Sequence, residues 1–204
     1  KMVICKNGLE DKFRVSNLAK YSNEKREPLK FCYTSCYTRN LDRILLYIWP
    51  KIHSAFPEAE LHLFYGMDLV NEATRQRLQK IIDDTPNVID NGRIPIDDLI
   101  KVKFNSTYHL YITETMAEID CLSVRESAVC GCVPIITNKT VFAERLGFHV
   151  EGDPKTKAYY DDAGDKIIEL LKNKEKVRKM SKKFKKCNEM FWDDVAKTWN
   201  SYII

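Results

Sequence analysis

No stretch of the 204-residue sequence stays apolar long enough to cross a bilayer. The longest runs, residues 44–50 and 133–137, fall far short of the roughly 20 residues a spanning helix needs. No charged, then apolar, then small pattern opens the chain, so it reads without a secretory leader. Glycine and proline are scarce at 7 each, and internal repeats, low-complexity tracts and flexible linkers are missing; collagen-like and disordered classes are excluded. With 44% apolar and 30% charged residues, the expectation is one well-buried soluble domain over residues 1–204.

A strong charge of one sign is also lacking over most of the chain. The net charge is +4, but residues 172–186 hold nine Lys or Arg against one acid, a local +8 that leaves −4 for the rest. A nucleic-acid binder spreads its basic residues across a face with exposed aromatics, so no nucleic-acid partner is expected. Seven cysteines form an odd set in a chain large enough to need no disulfide staples. Several lie in apolar, strand-like runs, as buried free thiols do, and the reading is a reducing, cytoplasmic compartment. Cys32, Cys36, Cys130 and Cys132 have C-x3-C and C-x-C spacings, which are poor zinc signatures, and no metal is expected.

What is present is alternation. Apolar strand patterns cover residues 31–36, 61–65, 88–89, 108–112 and 133–137. Between them, helical spacing covers 41–56, 71–83, 95–104 and 123–130, the last ended by Gly131. Residues 2–5 form a short apolar segment, followed by an Asn7-Gly8 turn and a polar stretch to Pro28. Strands separated by helices imply right-handed crossovers and a parallel sheet. After Val150 the pattern is wholly helical: 159–171, 176–187 and a last amphipathic segment through Trp192 and Trp199. The expected fold is α/β, a Rossmann-like doubly wound parallel sheet, with residues 1–15 as a junction segment and 155–204 as a helical tail.

In such folds ligands sit at the carboxyl ends of the strands. The richest loop there runs over residues 113–128, where a long segment empties into a helix and its free N–H groups suit a phosphate. Glu118 and Glu126 flank it. Glu126 also has an ordinary explanation: with Ser123 it has the spacing of a capping box, which steadies a helix start by about 1 kcal/mol. Glu118 alone reads as a solvated loop acid. His53 and His62 read as packing or surface residues, His109 as a weak site candidate, and Trp49, Trp192 and Trp199 as docking aromatics.

Five collinear stretches carry a resemblance. Glu118 and Glu126 have Glu-x7-Glu spacing, followed by Ala128, Gly131-Cys132 and Pro134-Ile135-Ile136. Residues 3–13 resemble a V-I-x-N-G-I-D-x-x-x-F junction, residues 34–41 an S-S-x-x-R-G-L loop, residues 57–66 P-x-A-E-L-x-I-x-Y-G, and Gly92-Arg93-Ile94 with Leu99 a G-x-V-x-x-x-x-L loop. Together they resemble the C-terminal, nucleotide-sugar-binding half of retaining GT-B glycosyltransferases of family 4.

The resemblance implies roles. Glu126 would bind the ribose hydroxyls and Glu118 would face the donor sugar. The N–H groups of Asp120, Cys121, Leu122 and Ser123 would cradle the diphosphate, and Arg39 would pair with it as it departs. Gly92, Arg93 and Ile94 would contact the base through backbone groups. Glu144 matches a family acid only weakly. Departures are Thr34 where the family carries an Arg, Asn40 for Gly, and Ile119-Asp120 for Gly-Phe; Asp120 must therefore point away from a diphosphate or cap the helix.

The implied function is hexosyl transfer from a nucleoside diphosphate sugar, UDP before GDP, to a glycan, lipid or protein acceptor, with no cofactor or metal. An N-terminal half in the same or another chain is an implied partner. The alternative is a non-catalytic nucleotide-sugar-binding subunit or regulatory module. Residues 172–187 fit an ordinary packed helix with a solvated Lys face first, and peripheral contact with anionic lipid second.

Overall fold

The computed structural model describes residues 6–68, 70–114 and 118–203. The apolar segment expected at residues 2–5 and the loop residues 115–117 lie outside them. Six strands form one wholly parallel sheet: β1 (Glu27–Tyr33), β2 (Glu60–Leu63), β3 (Val88–Asp90), β4 (Ser106–Tyr111), β5 (Val133–Thr137) and β6 (Phe148–Val150). Their order is β3-β2-β1-β4-β5-β6, so the chain starts in the middle, winds outward and reverses between β1 and β4. This is the doubly wound Rossmann-like arrangement expected from the alternation, and its crevice opens where the order reverses.

Side chains alternate across the sheet, as strand geometry requires. Phe31, Tyr33, Leu61, Leu110 and Ile135 face one core cluster. Into it pack Trp49 and Ile52 of α3 (Trp49–Ala55), Leu78 of α4 (Glu72–Asp83), and Tyr160 and Ile167 of α7 (Lys157–Lys172). Cys32, Phe64 and Cys132 face the other way, with Leu99 and Val102 of α5 (Ile96–Asn105) against them.

Local chemistry sets the element ends. Asn71, Thr156 and Asn173 cap α4, α7 and α8 (Lys174–Phe184) by accepting N–H bonds from Thr74, Tyr159 and Lys176. The first long helical run starts as α2 (Leu41–Arg43), passes through a π-helical stretch (Ile44–Ile48) and continues as α3. Pro50 has no N–H and crowds the preceding turn, and the wider stretch just before it is where the backbone absorbs that.

Several sequence readings need correction. β1 starts four residues before the expected 31 and stops at Tyr33, leaving Thr34, Ser35 and Cys36 in the following loop. The polar stretch after Gly8 is not plain coil: it holds helical turns, including α1 (Val15–Leu18). There Leu9, Phe13, Leu18 and Tyr21 form a second core cluster with Ile100, Phe104, Val129 and Cys130. β6 is an additional short strand. The helix expected from 123 is α6 (Leu122–Val129), and the last helix is α9 (Trp192–Ile203).

Candidate functional site

The loops leaving β1 and β4 meet at the reversal point. Buried Tyr33 closes the first: its hydroxyl lies 2.8 Å from the carbonyl oxygen of Cys36 and 3.0 Å from that of Arg39. Asn40 follows with φ 62°, a left-handed conformation that Asn tolerates better than other side-chain-bearing residues; this accommodates the departure from Gly there. The loop aims Arg39 at Glu118. The guanidinium pairs with one carboxylate oxygen of Glu118, and the other accepts the Cys121 N–H at 3.1 Å. Arg39 also donates to the Tyr111 hydroxyl at 3.4 Å. That bond, against partial burial and with the Glu118 charge, raises its pKa above the ordinary value, so it stays a cation.

Helix α6 opens at this pair. Its N-cap is Cys121 in the left-handed region at φ 52°, so Ser123 lies inside the helix, not before it. The capping-box reading therefore fails. Ser123 instead places its hydroxyl 2.6 Å from that of Thr34 and donates to the Thr34 carbonyl at 3.0 Å. Thr34 continues to His109 Nε2 at 3.3 Å, and Ser127 meets His109 Nδ1 at 3.0 Å. Burial, with the nearby Lys103 charge, holds the His109 pKa well below its ordinary value, so the ring is a neutral strut from β4 to the loop after β1 and to α6.

Glu126 points to Lys103. The Lys103 ammonium, with no exposed side-chain surface, donates to Glu126 Oε2 at 2.6 Å and to the Ser123 carbonyl at 3.0 Å. Burial pulls its pKa down, but the Glu126 carboxylate outweighs that and leaves it above the ordinary lysine value. One Glu126 oxygen is thus fixed, and the side chain keeps 18% exposure. Lys103 was absent from the sequence reading. Its signal is positional: it occupies i+7 in the apolar series Ile96, Leu99, Ile100, Lys103, Phe104.

Asp120 turns away from the crevice. Its carboxylate accepts from the Asn7 N–H at 3.0 Å and from Arg125 and Arg145, each at 2.8 Å, and Arg145 also holds the Asp120 carbonyl at 2.9 Å. Arg125 bonds Glu189 at 2.8 Å, completing a neutral, largely buried cluster. Glu144 lines a 410 Å³ cavity beside it rather than the crevice. Burial pushes the Cys121 thiol to about 12, so it is no nucleophile. Leu122, which follows it, is only partly buried in the first turn of α6, where N–H groups lack helical acceptors.

Gly92, Arg93 and Ile94 follow β3, beyond β2 from the reversal point. Gly92 (φ 61°) donates to Asp90 Oδ1 at 2.9 Å, and the same oxygen takes the Tyr37 hydroxyl at 2.5 Å. Asp90 thus ties this loop to the Arg39 loop. The Arg93 guanidinium lies 4.9 Å from the centre of the half-exposed Tyr65 ring, and Ile94 packs inward near Phe64. The structure joins Arg39, Glu118 and Cys121 directly, reaches Glu126 through Ser123 and Lys103, and leaves Gly92–Ile94 as a separate wall. Among the described residues no three His, Cys, Asp or Glu side chains converge as metal ligands; Cys32 and Cys132 face each other at 3.9 Å in the core.

The sequence matches no protein-family model and no curated protein. Solved structures do match. The GtfA/B complex superposes with a TM-score of 0.66 at 15% identity, over 88% of this chain and 36% of that one. The catalytic domain of Starch Synthase IV from Arabidopsis thaliana, bound to ADP and acarbose, gives 0.61 at 13% identity, over 88% and 38%. The pneumococcal O-GlcNAc transferase GtfA, in complex with UDP and GlcNAc, gives 0.61 at 14% identity, over 97% and 38%. At such identities the likeness shows the fold, that of one Rossmann-like half of a GT-B glycosyltransferase, and the chain spans little more than a third of each structure.

Proposed function

We propose that this chain is the donor-binding domain of a retaining glycosyltransferase that moves a hexosyl group from a nucleoside diphosphate sugar, UDP before GDP, to a glycan, lipid or protein acceptor. One observation carries the reading: a permanent cation, Arg39, and an acid, Glu118, meet at the opening of α6 in the crevice where the sheet reverses. An ion pair half open to solvent is a preorganised exchange site. A diphosphate displaces Glu118 from Arg39 and takes both the fork and the first-turn N–H groups of α6. Glu118 is then released toward the sugar.

Negative charge developing on the departing diphosphate is stabilised by the same groups, which is how such a site accelerates transfer without a metal. Glu126, steadied by Lys103, offers its remaining oxygen to vicinal ribose hydroxyls, and the Gly92–Ile94 wall receives the base. The UDP and ADP in two similarly folded structures support a nucleotide in this crevice. A second, GT-B-completing half, in this polypeptide or another, supplies the acceptor.

Calorimetry with UDP and GDP tests the reading. UDP is expected to bind, and Arg39→Ala to weaken it by roughly 10–100-fold, the worth of a charge-assisted hydrogen bond. Binding of neither nucleotide, or an affinity indifferent to Arg39→Ala, overturns it. Binding with no turnover once an N-terminal half is supplied selects the non-catalytic subunit instead.

A further inference from the structure

At the end of the sheet opposite the crevice, a cleft of about 500 Å³ opens between the start of β1, the end of α3 and helix α8. Its floor is apolar: Leu29, Phe56, Tyr108, Leu171 and Val177. Tyr108 is 3% exposed, stacks on Phe31 at 4.7 Å, and its hydroxyl has no hydrogen-bond partner among the described residues. The rim carries one exposed acid, Glu58, against four basic residues, and is net cationic. Lys174, Arg178 and Lys182 stand along it on α8, all exposed and none of them ion-paired among the described residues. Arg26 closes the inner edge, held by the carbonyls of Ser106 and Cys130.

The other side of α8 repeats the pattern. A second groove, about 420 Å³, sets Lys176, Lys179 and Lys183 around Met180. Among the described residues, Lys179 there is ion-paired, to Glu175 at 2.8 Å, Lys176 lies 5.1 Å from the centre of the Phe148 ring, and Lys183 has no ion pair. Val177 and Phe184 bury the inner stripe of the helix, so the six basic residues of α8 stand on its two flanks beside greasy gaps, whereas Lys185, just past its end, turns inward over the Phe104 ring. A merely solvated lysine face needs no apolar slots between its charges. A polyanion such as nucleic acid gains nothing from them. A surface that presents phosphates and hydrocarbon together uses both.

We infer that this face docks on an anionic phospholipid bilayer, the α8 cations taking headgroup phosphates and the 500 Å³ cleft receiving a length of acyl chain. Charge complementarity supplies the long-range attraction, and the slot converts it into a seated contact. Because the cleft lies at the amino ends of the strands, the docked domain holds its crevice about one strand length, roughly 20 Å, from the surface.

Vesicle flotation of the full chain is the test. Binding is expected to phosphatidylcholine vesicles carrying phosphatidylglycerol and not to phosphatidylcholine alone, and to weaken as salt rises. Replacing Lys174, Arg178 and Lys182 together by Gln, all exposed and so harmless to the fold, should cut partitioning roughly a hundredfold with the melting temperature unchanged. Monomeric lysophosphatidylglycerol should compete, whereas glycerol phosphate, the headgroup without its chain, should not. Absence of flotation on anionic vesicles, indifference to the triple substitution, or equal competition by glycerol phosphate overturns the inference. Polyglutamate that binds as tightly as the vesicles and displaces them reassigns the face to an acidic polypeptide and overturns it too.

Discussion

Lys103 shows how much one side chain inside an apolar stripe decides. A lysine buried without its counter-ion is untenable in a low-dielectric core, and Glu126 at 2.6 Å is what makes the position habitable. The pair joins α5 to α6 and steadies the acid assigned to the ribose. Lys103→Met removes the cation but strands Glu126, and an expected loss of about 3–5 kcal/mol would be read from urea unfolding. Adding Glu126→Gln relieves the stranded charge, so the double variant should lose less than the two single losses combined. Strict additivity would show that the contact carries no coupling. The sign of the pH effect follows as well: with its pKa raised, Lys103 contributes stability that is complete below the ordinary lysine value and fades only as the solution passes the raised one.

Between elements, the Thr34–His109–Ser127–Ser123 chain joins the loop after β1 to β4 and α6 without any charge. Its stability is therefore pH-dependent on the acid side. Folded His109 refuses a proton that the unfolded chain accepts below its ordinary pKa of 6.5, so stability rises with pH up to that point and levels off above it. Acidification from 6.5 toward 5 should cost at most about 1.4 kcal/mol per pH unit, and His109→Gln should flatten that slope in urea midpoints taken across the range. An unchanged slope would move the dependence to another group. The parallel sheet was legible in advance because strand and helix periods alternate plainly; the strand-end rule drew attention to Glu118 and Glu126, and the resemblance alone to Arg39. β6 has His149 between its two apolar residues and so carries no apolar run, whereas β3, equally short, is marked by the Val88-Ile89 pair. The α6 entry was misread because Ser-x-x-Glu spacing is local, whereas the partners that occupy Ser123 and Glu126 come from 89 and 23 residues away. Asp120 illustrates the same limit, since its acceptors are filled by Asn7, Arg125 and Arg145, which only the folded chain assembles.

Across the whole molecule, both ends of the described chain converge behind α6. Leu9 donates to the Met190 carbonyl at 2.9 Å and accepts from Trp192 at 3.3 Å, while Arg14 stacks on Phe191 at 4.1 Å and pairs with Asp193. Gly8 permits this approach: a Cβ there would stand 2.3 Å from the Trp192 nitrogen and 2.6 Å from the Phe191 carbonyl carbon, both backbone atoms that cannot swing aside. One residue earlier, Asn7 donates to Asp120, which Arg125 links to Glu189 in turn. The closure of the ends and the fixing of the crevice loop therefore belong to one network. Gly8→Ala should cost about 1–3 kcal/mol through overpacking, with the added separation passed to Asn7. Asp120→Asn should cost more, since it leaves Arg125 and Arg145 short of a buried counter-charge. If the ends and the loop are coupled, unfolding measurements on the double variant will fall below the sum, because the first change has already loosened what the second removes. A sum that adds to within about 0.5 kcal/mol would mean that the terminal closure and the loop anchor act independently.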